Sequence, residues 1–169
     1  MDFADFDPNG ENVTRVDDID QQLPILHTSI ARCIALEVLY EVDSVPHPLG
    51  EVLNRQIQSH ADVERVSDMV RTLVLGVKAH QTRLDKVLQE YATEWPFHQV
   101  ATIDRNILRL ALFEICINQK VPLAVAIDEA VNLANLYGAD GATRFVNGVL
   151  GSVGNNVEKI ASQLRSENP

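Results

Sequence analysis

The most apolar stretch of the chain is 104–117, DRNILRLALFEICI, where only Arg109 and Glu114 are polar between positions 107 and 117. A run this apolar is too wide for a surface stripe and predicts a helix buried on most sides. It is too short and too interrupted to cross a bilayer, which takes roughly 20 apolar residues. Arg109 and Glu114 are five apart, so they point to different sides of that helix and do not pair with each other. The pattern predicts a central helix over about 100–118.

The rest of the chain reads as helices that pack around it. One is predicted over 29–43, with Thr28 or Ser29 as its cap and SVPHP at 44–48 as its break. A second covers 49–59, with Leu49, Val52, Leu53 and Ile57 on one face. A third follows Asp62, with Val66, Val70, Leu73 and Val77 in helical period, and a separate fourth is expected over 81–93. Gly76 does not end the third helix and suits close approach of another. The loop 94–99, EWPFHQ, is fixed by Pro96, and Trp95 and Phe97 are expected to plug the bundle end. Pro122 is placed at the first position of the next helix and Gly138 as its left-handed cap. A last helix covers 143–153, with a further turn or extension over 157–164. No stretch alternates at period two. The fold class is therefore all-α, a single domain of about seven helices, formed by residues 27–169.

Composition and charge narrow the function classes. Apolar residues make up 46% of the 169, enough for a core, and aromatics only 5%, so the core is aliphatic. Net charge is −10, which argues against a general basic field for nucleic acid. The charge is uneven: residues 1–26 hold seven acids and one base, whereas 27–169 hold 17 acids and 13 bases. Residues 1–26 also show no clear helical period and are expected to form, for the most part, a disordered acidic tail. Cys33 and Cys116 lie in apolar helical contexts without CxxC spacing and read as buried free thiols, which suits a cytoplasmic location. No signal peptide, transmembrane segment, metal-ligand spacing, phosphate loop or nucleophile motif is present, so no catalytic residue, metal or cofactor is assigned.

Binding is what remains. Three clusters qualify: Arg32 with Tyr40; Asp104 with Arg105 and Arg109; and Arg144, Phe145 and Asn147. Arginine contacts phosphate or stacks on bases, aromatic rings offer stacking faces and Asn reads base edges. Each also has a plainer reading. Arg32 would be a solvated helix-start residue, Arg105 and Arg109 would pair with local acids, Phe145 would be core, and Asn147 would bond buried backbone.

Four stretches add a resemblance: ALEVLYEVD (35–43), DRNILRLALFEI (104–115), VPLAVAIDEAVNLANLYG (121–138) and RFVNGVLGSV (144–153). The chain from about 29 to 153 resembles the NusB family of bacterial transcription antitermination factors. The resemblance implies two packed helical subbundles and a non-enzymatic factor that pairs with NusE, a small ribosomal-subunit protein. That pair binds boxA-type RNA in an antitermination complex with RNA polymerase and supports ribosomal RNA transcription. Carried over by motif, RNA contact falls to Arg32, Tyr40, Arg105, Arg144 and Asn147, and partner contact to Asp104 and Phe145. One departure matters: family members begin helix one with several arginines, and here positions 28–32 read Thr, Ser, Ile, Ala, Arg. Fewer phosphate contacts imply weaker, less salt-sensitive RNA binding, or an interaction module that has lost it.

Overall fold

The structure, a computed structural model, describes residues 16–60 and 64–166. Among these, seven α-helices occur in the order α1 (Val16–Ser44), α2 (Leu49–His60), α3 (Glu64–Tyr91), α4 (Thr102–Phe113), α5 (Leu123–Tyr137), α6 (Ala142–Gly154) and α7 (Val157–Ser166). A 3₁₀ turn, Phe97–Gln99, precedes α4, and a π-helical turn, Glu114–Asn118, follows it. No strand occurs among the described residues. α4 packs on α1 and α3 on one side and on α5 and α6 on the other, so it joins two subbundles.

The central stretch is buried as its pattern predicts. Every residue from Ile107 to Cys116 is at most 5% exposed. Gly76 matters as expected: a Cβ there would collide with the ring of Phe113 from α4. The boundaries differ in three places. α3 runs unbroken through 80–81, because nothing between Gly76 and Tyr91 breaks a helix and His80 Nδ1 bonds the Gly76 carbonyl at 2.8 Å. α1 begins at Val16, so Thr28 and Ser29 lie within it and cap nothing. Val16, Ile19, Leu23, Leu26 and Ile30 are spaced alternately three and four apart, a helical period that the acidic residues between them obscure. The expected disorder of residues 1–26 thus gives way to helix from Val16, while residues 1–15 lie outside the described residues. α5 ends at Gly138 in extended backbone (φ −79°, ψ 163°), and the left-handed residue is Gly141 (φ 88°). Gly138 is required for closeness: a Cβ would meet Ala142 and lie 3.3 Å from Asp104 Oδ1.

Both polar residues of the central stretch are paired with distant charges. Glu114 receives Nε and Nη2 of Arg32, each at 2.9 Å, with both side chains 2% exposed. Arg32 Nη1 reaches Glu129 of α5 at 3.1 Å, and Ser29 Oγ donates to the same carboxylate at 3.0 Å. Burial disfavours the Arg32 charge, but Glu114 and Glu129 outweigh it and raise its pKa above the ordinary guanidinium value. Arg32 is therefore neither the solvated residue nor the RNA-facing one expected from sequence, because it lies mid-helix on the face of α1 that meets the core.

Arg109 forms the second cluster. It contacts both oxygens of Asp85 at 2.6 and 2.7 Å and Asp43 at 2.6 Å, while Lys78 reaches Asp43 at 3.1 Å. Burial alone would raise the Asp43 carboxyl, but Lys78, Arg109 and Asn106 hold it below the usual value. Arg109 is thus enclosed and unavailable to a partner, unlike its place in the candidate binding cluster with Asp104 and Arg105. Because Arg32 precedes Asp43 on α1 while its partner Glu114, in the π-helical turn that continues α4, follows Arg109, the two helices run antiparallel.

Leu110 is 1% exposed on α4. Leu110→Ala is expected to cost about 2–5 kcal/mol in urea unfolding. A cost below about 0.5 kcal/mol, the range of surface changes, contradicts its place in the core.

Candidate interface

Two clefts meet between the end of α3, the loop before α4, and the start of α6. One, about 710 Å³, is lined by residues including Tyr91, Thr93, Glu94, Arg144 and Ser152. The other, about 450 Å³, is lined by Trp95, Gln99 and Asp104 among others. Glu94, Asp140, Gly141 and Phe145 line both.

The loop is held by Phe97, which is buried; its N–H donates to Gln89 Oε1 at 2.7 Å, and its ring lies 6.0 Å from Arg109 Cζ. With Phe97 turned inward, its neighbour Trp95 stands 61% exposed on the cleft rim. The expectation that both aromatics plug the bundle holds for Phe97 and fails for Trp95. An exposed Trp in a cleft is a strong candidate anchor, since its area is large and few torsions need freezing.

Asp104 lies in the first turn of α4, 9% exposed, and its buried Oδ1 has no hydrogen-bond partner among the described residues. Burial pushes its carboxyl above the usual range. A buried acceptor left unpaired costs stability. Arg105 is half-buried and holds the loop, donating to the His98 carbonyl at 2.7 Å and to Thr102 Oγ1 at 3.3 Å. Arg144 is exposed on the cleft and makes no ion pair among the described residues. Phe145 packs against the core with one side and lines both clefts with the other. Asn147 is exposed, against its reading as a buried backbone-bonding side chain. Tyr40 is 45% exposed on α1 and does not line these clefts. The structure thus brings Asp104, Arg144 and Phe145 together, adds Glu94, Trp95 and Asp140, and takes Arg32 away.

The chain matches the NusB family over residues 29–155. It belongs to the NusB family. The transcription antitermination protein NusB of Roseiflexus castenholzii is 43% identical over 124 residues, covering 72% of this chain and 87% of that protein. NusB of Dehalococcoides mccartyi strain CBDB1 is 41% identical over 133 residues, covering 79% and 93%. The fold is that of a T. maritima NusB (TM-score 0.71, 24% identity, covering 80% of this chain and 96% of that one). It is equally like a chain from a complex of the antitermination factors NusB and NusE with double-stranded RNA (TM-score 0.70, 22% identity, 76% and 96%). The NusB match spans α2 to α6 but leaves out the start of α1 and all of α7.

Asp104 gives a pH signature. Its folded pKa is raised, so its contribution to stability is full below the unfolded value and is lost as pH rises through the folded one. Asp104→Asn is therefore expected to be more stable than the parent at neutral pH, with the difference shrinking below about pH 4. Urea midpoints at both pH values check this. A variant that is less stable at neutral pH contradicts the unpaired carboxylate.

Proposed function

We propose that this chain is a transcription antitermination factor that pairs with the ribosomal protein NusE. The pair binds boxA-type RNA within an antitermination complex on RNA polymerase and supports ribosomal RNA transcription in the cytoplasm. Its role is binding and not catalysis. The name carried by relatives 43% and 41% identical supports the antitermination role, and a fold neighbour taken from a complex of NusB, NusE and double-stranded RNA supports the partners. The observation that carries the partner assignment is Phe145 between two clefts, beside the unpaired Asp104 and the exposed Trp95. Glu94, Asp104 and Asp140 outnumber Arg144 there, which suits a basic protein partner. Asp104 and Phe145 act on the NusE side, while Tyr40, Arg105, Arg144 and Asn147 are the remaining residues for RNA.

A second reading, a protein-interaction module with weak or lost RNA binding, is favoured by one observation. Arg32, the single arginine at the start of the matched region, is enclosed by Glu114 and Glu129. Without arginines there, little counterion release is left for RNA.

Titration of boxA RNA with and without NusE, across a salt series, separates the two. The first reading predicts weak binding by the chain alone and strong, salt-dependent binding with NusE. Capture of NusE without any boxA binding supports the second, and failure to capture NusE overturns both. Phe145→Asp and Trp95→Ala are each expected to weaken NusE capture about tenfold or more with unchanged circular dichroism. If Phe145→Asp unfolds instead, Phe145 serves the core, and Trp95→Ala decides alone.

A further inference from the structure

We propose that a separate pocket between α3, the π-helical turn and α7 binds a phosphate group. The pocket is about 240 Å³, and it shares no lining residue with the interface clefts. The proposal does not depend on the NusE or RNA reading.

His80, Arg83 and Arg165 line it, with Gln119, and among the described residues no Asp or Glu does. In a chain of net charge −10 this is an unusual place. Elsewhere, Arg32, Arg55, Lys78 and Arg109 are each ion-paired. Arg83 donates Nη1 to the Leu164 carbonyl at 2.8 Å, which fixes its guanidinium at the end of α7 and leaves Nε and Nη2 uncommitted. Arg165, the next residue along α7, makes no ion pair among the described residues. An anion in a pocket lined by two guanidinium groups is attracted to both. His80 is oriented by its Nδ1 contact with the Gly76 carbonyl and by its ring against Phe113, which leaves Nε2 as its free ring nitrogen.

The backbone is irregular at the same spot. Cys116 and Ile117, which line the pocket, belong to the π-helical turn, a feature frequent at functional sites. Gln119 follows with φ 52°, alone among the described non-glycine residues in having positive φ. This left-handed residue caps the helix, its N–H donating to the Glu114 carbonyl, and so fixes where Gln119 leaves the turn. Leu164 and Arg165 belong to α7, so the pocket needs that helix in place.

The donor set selects the ligand class. Two guanidinium forks and a side-chain amide offer more N–H groups than one carboxylate accepts, and a phosphate with three terminal oxygens matches them. Such a group comes either from free phosphate or from the end of a nucleotide.

The test is ¹⁵N–¹H NMR on the full chain, titrated with inorganic phosphate against a chloride control at equal ionic strength. Saturable shifts are expected at amides of residues 80–83, 116–119 and 164–165 by about 20 mM phosphate, the range of a weak single-site ligand. Arg83→Gln also removes the contact to Leu164, so the decisive variant is Arg165→Gln, expected to weaken binding roughly tenfold, the scale of one charge-assisted hydrogen bond. Absence of those shifts, the same shifts with chloride, or no change in Arg165→Gln overturns the proposal. Uridine 5′-monophosphate gives the second arm. Tighter binding at the same amides identifies an esterified phosphate, and equal or weaker binding identifies the free ion.

Discussion

The fold depends on how the central helix disposes of its two buried charges. Arg109 and Glu114 sit in a stretch where everything else is apolar, and neither survives there unpaired, because a lone buried charge costs several kcal/mol. Glu114 is met by Arg32 and Arg109 by Asp43, so α1 is held against the central stretch at two points. The same charges reach further, through Glu129 to α5 and through Asp85 to α3. Hydrophobic burial supplies most of the driving force, but it is non-directional. The ion pairs specify which helix lies where.

That frame decides what is left for function. Arg32 is taken up by the core, while Arg105 holds the loop before α4 and stays half-buried. Phe97, under Arg109, turns the loop so that Trp95 faces out beside Asp104 and Phe145. Scaffold and interface are thus coupled within one helix. Its middle is core, and its first turn lines a cleft through Asp104.

Much of this was legible in the sequence. The burial of 107–116 follows from its unbroken apolar run, and the close approach at Gly76 from a glycine inside a strong helical period. The resemblance carried by the stretches around 104–115 and 144–153 agrees with the family match. What was not legible is long-range. The partners of Arg32 lie 82 and 97 positions away, and no local pattern distinguishes a buried arginine on an apolar face from a solvated one at a helix start. Trp95 and Phe97 flank one proline, and only the contacts with Gln89 and Arg109 decide which turns in. The start of α1 was readable, because Val16, Ile19, Leu23 and Leu26 keep a helical period that the intervening acids and Pro24 masked.

The most direct measurement is a double-mutant cycle on the Arg32–Glu114 pair by urea unfolding. If the pair holds the central helix, Arg32→Met alone strands a buried carboxylate and costs about 3–5 kcal/mol, while Arg32→Met with Glu114→Leu recovers most of that loss. If Arg32→Met alone changes stability by less than about 0.5 kcal/mol, as at a solvated position, the pair does not organise the fold and the account is contradicted.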